Sequence, residues 1–205
     1  MIRHTQFDTI YHEHFSYLSL LAVSKAFAEH GLAIFDVEEL STHGGSLRVF
    51  GKHAADDFNP ICESVDRIRS SETEAGLSDP NTYSRFAGKI EEVKCDLLSF
   101  LIDCKRKGKS VAGYGAPAKG NTLLNYCGVG PELLPYTVDR SPHKQGTYLP
   151  GSRIPVEGPD QIARTKPDYL LILPWNLQTE ISQQMNHIRE WGGQFVVPIP
   201  SITIF

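Results

Sequence analysis

The densest group of titratable side chains lies near the start of the chain, at Tyr11-His12-Glu13-His14. Histidine titrates close to neutral pH and can accept a proton during catalysis. A neighbouring carboxylate can fix the tautomer of an imidazole, and a phenol can donate a hydrogen bond to an oxyanion as it forms. Together these groups have the chemistry needed to remove a proton from a carbon beside a ketone and to hold the resulting enolate.

Two other interpretations of this cluster stay open. His12 and His14 could bind a metal ion, but they are two residues apart, whereas metal-binding helices place two histidines four residues apart. The polar groups could also act only as structural hydrogen-bonding groups near the start of a helix. Because of the histidine spacing, the sequence predicts no metal site.

A second candidate site is the glycine-rich stretch Gly113–Asn121, which follows a short apolar run and opens a helical one. Glycine lets the backbone turn tightly and approach a ligand, and the N–H groups at the start of a helix favour a phosphate. Gly113 and Gly115 fit the dinucleotide-binding pattern, and Ala118 is permitted at its third position. Lys119 adds a positive charge.

Three interpretations of this turn stay open. It could only let a strand and a helix pack closely, or it could contact a phosphate or a nucleotide diphosphate. It could also belong to an NAD site, in which Asp139 after the next strand would hold a ribose. Pro117 and Lys119 are unusual in an NAD-binding loop, which favours the phosphate contact. Asp139 could equally cap a turn.

The elements that would position these residues fall into three segments, 1–53, 54–108 and 109–205. The first has a helical pattern with Ser16 as a candidate N-cap and Gly31 as a stop. Two strand-like runs follow it, at 32–38 and 46–52, and predict an antiparallel pair. The second segment is helical, with a long apolar stripe after Asp79-Pro80.

The third segment alternates strand-like and helical patterns. Strands are predicted at 110–114, 136–139, 154–156, 168–173 and 194–198, and helices at 118–127, 158–164 and 177–191. This alternation is typical of βαβ units, so the sequence predicts an α/β fold with a Rossmann-like parallel sheet and flanking helices.

Composition excludes several classes of function. Of 205 residues, 40% are hydrophobic and 21% charged, as in a soluble globular protein, and the net charge of −4 gives no reason to expect a nucleic-acid surface. No stretch approaches the ~20 apolar residues of a membrane span, and the N-terminus has no apolar signal core. The four cysteines form no CxxC pair. We expect reduced thiols in a cytoplasmic protein with no membrane or nucleic-acid partner.

Three stretches together resemble the deoxysugar C-methyltransferases, a family that methylates nucleotide-linked 4-keto sugars with S-adenosylmethionine. They are Gln6–Tyr17, Thr42–Val49 and Gly113–Asn121. Their order and the distances between them also agree with the family, and the resemblance covers essentially the whole chain. Members of this family have a zinc-binding domain, a class I methyltransferase domain and a C-terminal Rossmann-like domain.

The resemblance implies that His14 is the base at the carbon beside the ketone, and that Tyr11 and Glu13 support the base or the enolate. The carbanion would then attack the sulfonium methyl group. It also implies that the glycine-rich turn faces the diphosphate of the nucleotide sugar. The candidate substrate-binding residues are Gly113, Gly115, Ala116, Lys119, Gly120 and Asn121, with His43 and Arg48 near the same cleft.

The sequence departs from the family in its first part. No cysteine quartet is present, and no strand with a glycine loop precedes residue 16. The helix near 16–30 and the strand pair near 32–52 are interpreted as elements left over from a class I methyltransferase domain. We therefore expect this chain alone to bind no S-adenosylmethionine and to methylate nothing without the missing methyltransferase half.

Two further functions stay open beside that half-enzyme. One is a free-standing module that binds a nucleotide-diphosphate sugar without catalysis, and the other is an NAD-dependent oxidoreductase on the same fold. The N-terminal strand pair, separated from a larger sheet, would leave an unpaired edge. We expect it to pack on a second copy, which would give a homodimer, or on the chain's own long helix.

Overall fold

The computed structural model describes residues 1–205, except for the side chain of His43. The chain divides into two compact units. We call residues 15–87 the hairpin unit, and residues 1–14 with 88–205 the Rossmann-like unit. Residues 1–14 thus belong to the same unit as the far end of the chain. The origin of residues 1–53 in a methyltransferase domain stays a prediction.

The hairpin unit contains two helices and two strands. They are α1 (Leu20–Glu29), β1 (Leu32–Leu40), β2 (Ser46–His53) and α2 (Glu63–Glu74). The strands pair antiparallel, which confirms the predicted pair. Its core is formed by Leu20, Ile34, Val37, Val65 and Ile68. Within this unit the strand pair therefore packs on α1 and α2. The sequence analysis had expected it to pack on the long helix or on a second copy. A homodimer stays a prediction.

Helix α1 begins later than its sequence pattern suggested. The prediction that Ser16 is the N-cap is wrong, because Ser19 has the extended backbone of a cap and its hydroxyl accepts the Ala22 N–H at 3.1 Å. The Glu72 carboxylate of α2 accepts the N–H groups of the first two residues of α1, at 2.7 and 2.8 Å. Side chains thus satisfy three of the donors that a helix start leaves open.

The long helix α3 (Pro80–Arg106) begins where Asp79-Pro80 predicted. The Asp79 carboxylate accepts the Asn81 N–H at 3.0 Å, and proline at the first helical position has no N–H to leave unsatisfied. The boundary between the two units falls within α3, at Gly88.

The sheet of the Rossmann-like unit has seven strands. In chain order they are β3 (Val111–Tyr114), β4 (Thr137–Val138), β5 (Thr147–Tyr148), β6 (Pro155–Glu157), β7 (Tyr169–Ile172), β8 (Gln194–Val197) and β9 (Thr203–Ile204). Across the sheet the order is β5-β6-β4-β3-β7-β8-β9. The helices that flank it are α4 (Ala118–Cys127), α5 (Asp160–Thr165) and α6 (Gln178–Gln184).

The five inner strands are parallel, and they confirm the predicted Rossmann-like sheet. Their order reverses between β3 and β7, so the topological switch point lies between these two strands. In open α/β sheets, ligands bind outside the carboxyl ends of the strands at such a point. The turns after β3 and β7 are therefore the first places to look for a site.

Two details differ from the sequence prediction. The edge strands β5 and β9 pair antiparallel and were not predicted, because two residues are too short to carry a periodic pattern. The helix predicted at 177–191 is α6 followed by a 3₁₀ helix, Asn186–Trp191. Among the described helices, none is both long and apolar enough to cross a bilayer.

Candidate active site

The N-terminal segment of the Rossmann-like unit lies against α4 and the turn after β7. Its central part, Phe7–Thr9, forms one buried 3₁₀ turn. Phe7 packs edge-to-face on Tyr126 of α4 with ring centroids 5.1 Å apart, and the Thr122 hydroxyl donates to the Ile10 carbonyl at 3.3 Å. The segment that carries the sequence motif is therefore held by α4, the helix that follows the glycine-rich turn.

His14 is oriented by the backbone of this same segment. Its Nδ1 lies 2.9 Å from the carbonyl oxygen of Thr9. A carbonyl oxygen can only accept a hydrogen bond, so this contact places the proton on Nδ1 and the basic lone pair on Nε2. The Tyr11 ring lies against the imidazole, with centroids 4.2 Å apart and an interplanar angle of 34°.

The other two residues of the cluster are more exposed. His12 Nε2 and Glu13 Oε1 are 4.0 Å apart, and their side chains are 85% and 70% exposed. The structure thus brings Tyr11 and His14 into ring contact, whereas the contact it gives Glu13 is with His12. In the part of the chain whose side chains are described, no three His, Cys, Asp or Glu residues are grouped to hold a metal.

A buried carboxylate lies just before this cluster. Asp8 has no exposed surface, and its Oδ2 accepts the Trp175 indole N–H at 2.6 Å. Its Oδ1 has no hydrogen-bond partner among the described residues. Burial raises the pKa of Asp8 to about 6, against the opposing effects of the Trp175 hydrogen bond and the Lys119 charge.

Lys119, a predicted phosphate ligand, belongs to the same buried group. It is 8% exposed, and its ammonium donates to Asn176 Oδ1 at 2.7 Å. The ammonium also lies 4.4 Å from the centroid of the Trp175 ring, a cation–π distance. Burial lowers the pKa of Lys119, and the Asp8 charge opposes that shift.

The raised pKa of Asp8 has a measurable consequence for stability. Because the folded pKa is above the unfolded value of 3.8, the folded state retains a proton that the unfolded state has lost. Stability should therefore fall as pH rises from about 4 to about 6, by about 3 kcal/mol at 1.36 kcal/mol per pKa unit.

Denaturant unfolding of the wild type and of Asp8→Asn across this pH range measures the effect, and the variant should lack this decline. Asp168→Asn is the matched control. The Lys109 hydrogen bond lowers the pKa of Asp168, so its linkage has the opposite sign. If Asp8→Asn declines as steeply as the wild type, Asp8 is not the group responsible.

The glycine turn after β3 is packed against protein. Gly115 has φ +94°, and a Cβ there would stand 2.6 Å from Cδ of Pro174. A Cβ on Gly113 would meet Thr137 at 2.7 Å, and one on Gly120 would meet Leu173 at 3.0 Å. These three glycines therefore allow close packing, one of the interpretations left open by the sequence.

The carboxylate of Asp139 is engaged within the chain. Its Oδ2 accepts the Ala116 N–H at 2.7 Å, and its Oδ1 accepts the Ser141 N–H at 2.8 Å. Lys144 donates to the Ala116 carbonyl at 2.9 Å. Each carboxylate oxygen of Asp139 thus accepts a backbone N–H group, as in a residue that caps a turn, which is one of the two roles that the sequence left open.

The remaining predicted ligands are placed as follows. The Asn121 side-chain oxygen is buried and has no partner among the described residues. Arg48 belongs to the hairpin unit, where its guanidinium pairs with Glu38 at 2.8 Å across the two strands. The side chain of His43 lies outside the described residues.

Sequence reasoning assigned no role to Asp8, Trp175 or Asn176. A signal was present, because Pro174-Trp175-Asn176 directly follows the clearest strand of the chain and hence stands at its carboxyl end. The partner of Trp175 could not be found in this way, because Asp8 is 167 residues away.

Fold and site together define a Rossmann-like unit that carries an oriented histidine on an added N-terminal segment. The sequence model of the family described as "C-methyltransferase C-terminal domain" matches residues 41–200, and the chain belongs to this family. The chain is 42% identical to the C-methyltransferase NovU of Streptomyces niveus over 200 residues, which are 98% of this chain and 47% of that protein. It thus spans about half the length of this curated relative.

Proposed function

We propose that this chain is the half of a sugar C-methyltransferase that supplies the base and the nucleotide-sugar contacts. The observation that carries the proposal is the hydrogen bond between His14 Nδ1 and the Thr9 carbonyl, which leaves Nε2 as the basic nitrogen. The substrate is a nucleotide-linked 4-keto deoxysugar, the class implied by the motif Gln6–Tyr17. The methyl group comes from S-adenosylmethionine bound by the other half of the enzyme.

In this mechanism Nε2 of His14 removes the proton from the carbon beside the ketone. The electron pair of the broken C–H bond forms a C=C bond to the carbonyl carbon, and the π electrons of the C=O bond move to the oxygen, which becomes an enolate oxygen. The proton stays on Nε2. In this proposal Tyr11, whose ring contacts the imidazole, holds that ring from one side and donates a hydrogen bond to the enolate oxygen. Glu13, exposed beside His12, supports the base once substrate covers the segment. No step passes through residues of the glycine turn.

The proposed role of the Gly113–Asn121 turn is to face the diphosphate. The first turn of α4 presents backbone N–H groups at a positive helix end, and this end favours an anion. The Lys119 ammonium gives one of its three N–H donors to Asn176, and in this proposal its charge and a remaining donor act on the diphosphate. His43 and Arg48 are kept as further proposed contacts of the substrate.

The experiment that tests substrate binding compares melting temperatures of the chain with a thymidine-diphosphate 4-keto sugar, with NADH and with S-adenosylmethionine. A ligand that binds only the folded state at 100 times its Kd adds about 2.7 kcal/mol of stability. We expect the nucleotide sugar alone to raise the melting temperature. A rise with NADH instead would favour an oxidoreductase, and no rise with the sugar would contradict the proposed contacts.

Two lysine variants show where the nucleotide sugar binds. Lys119→Met should lose most of the ligand-induced rise, measured against the melting temperature of the same variant without ligand. Lys109→Met is the control, because Lys109 pairs with Asp168 before the start of β3. Equal responses of the two variants would place the diphosphate elsewhere.

A further inference from the structure

The buried group around Asp8 has a structure that packing alone does not require. Replacing a buried charged group by an apolar one of similar size is often neutral or stabilising, so such groups call for another explanation. Here one carboxylate oxygen accepts the Trp175 indole N–H at 2.6 Å, while the other has no partner among the described residues. The Lys119 ammonium lies over the ring of the same tryptophan.

This group is connected to His14 by a short stretch of ordered backbone. Asp8 is followed directly by Thr9, whose carbonyl accepts the His14 Nδ1–H at 2.9 Å. The Thr9 hydroxyl donates to the Gln6 carbonyl at 2.8 Å, and the Ile10 N–H donates to the Phe7 carbonyl at 2.9 Å. These two bonds close the short turn Phe7–Thr9 on itself, and the Asp8 carboxylate ties this turn to Trp175. The place and tilt of the turn, and with them the Thr9 carbonyl, therefore depend on where the Asp8 side chain is held.

We propose that Asp8 and Trp175 are positioning residues for His14: the turn after β7 holds the Asp8 carboxylate, and this contact aims the Thr9 carbonyl that fixes the His14 tautomer. The turn after β7 thereby determines which imidazole nitrogen of His14 is basic. The proposal rests on the proposed function for the role of His14 as base, but the orientation of His14 can be measured without substrate.

The test measures the ¹⁵N chemical shifts of the His14 ring in the chain at alkaline pH, where the imidazole is neutral. These shifts distinguish a protonated nitrogen from one with a lone pair. In the wild type the Nδ1–H tautomer should dominate. In Trp175→Phe, which removes the indole N–H and keeps an aromatic ring, that tautomer should fall to a minority.

The chain offers a matched control in its other tryptophan. The Trp191 indole N–H donates to the Pro167 carbonyl at 3.0 Å, away from the N-terminal segment. Trp191→Phe should leave the His14 tautomer as in the wild type. An unchanged tautomer in Trp175→Phe would overturn the proposal, even if the variant were less stable, because a purely structural contact changes stability and not the ring proton.

A second variant covers the case in which Trp175→Phe does not fold. Asp8→Ala removes both carboxylate oxygens without adding volume to the buried site and should produce the same loss of the Nδ1–H tautomer. In the enzyme joined to its methyltransferase half, either variant should lower kcat by about 10²-fold with little change in KM for the sugar. If the variants change the His14 tautomer but the wild-type enzyme transfers no methyl group to the sugar, the proposed function is refuted and the positioning role is not.

Discussion

His14→Gln should lower the rate of proton removal from the sugar by about 10²–10⁴-fold, the range that a positioned general base contributes. The structural reason is that His14 offers Nε2 as a lone pair while Nδ1 is held by the Thr9 carbonyl. Glutamine keeps a polar side chain of similar reach but provides no basic nitrogen. The reaction to follow is the incorporation of solvent deuterium beside the ketone, which requires no methyl donor.

The control for this experiment is His12→Gln, an identical substitution two residues away. The His12 side chain is 85% exposed, and its described ion contact is with Glu13. Substitutions at exposed positions usually have small effects, so His12→Gln should keep the exchange rate within about twofold of the wild-type rate. The assay is run on the chain joined to the methyltransferase half. A His14→Gln enzyme that exchanges as fast as the wild type would show that another group is the base.

Gly115→Ala should cost about 3 kcal/mol or more in the free energy of unfolding. Two effects combine at this position. The backbone has φ +94°, where an L side chain is strained, and the new Cβ would stand 2.6 Å from Cδ of Pro174 and 3.3 Å from Cδ of Pro117. Both neighbours are rings with little freedom to move away, and Pro174 directly precedes Trp175.

Gly128→Ala separates these two effects. Gly128 ends α4 with φ +73°, but a Cβ there would meet nothing within 4 Å. We expect this variant to lose only the cost of the left-handed backbone, about 1–2 kcal/mol. Urea unfolding of both variants gives the comparison. Equal losses would mean that close packing on Pro174 is not the reason for glycine at position 115.

The sequence predicted the Rossmann-like sheet well because its inner strands are apolar runs that alternate with helical patterns. Helix α4 was predicted with both of its ends, Ala118 and Cys127. Its start follows the glycine turn, and Gly128 in the left-handed conformation stops it. The start of α1 was placed three residues too early, because Ser16 and Ser19 are equally good caps in isolation. The choice depends on Glu72, a residue of another helix.

The candidate site was predicted only in part for a similar reason. Local residue types predicted His14, Tyr11 and Glu13 as catalytic residues. The structure places the rings of Tyr11 and His14 in contact, whereas the ion contact described for Glu13 is with His12. Lys119 was predicted as a phosphate ligand because it adds a positive charge at the start of a helix. Its burial depends on Trp175 and Asn176, which arrive from the other side of the switch point and leave no trace near Lys119 in the sequence.

The contact between Asp8 and Trp175 also sets an order of events during synthesis. The two residues are 167 positions apart, so the N-terminal segment cannot dock until the turn after β7 has been made. Contacts at such separation form late, because the loop they close carries a large entropic cost. On the ribosome, the hairpin unit can fold before the turn after β7, to which the segment that carries His14 binds, has been synthesised. His14 therefore lies in one of the last segments to reach its place, and a nascent chain that stops before β7 lacks the Trp175 contact that holds this segment.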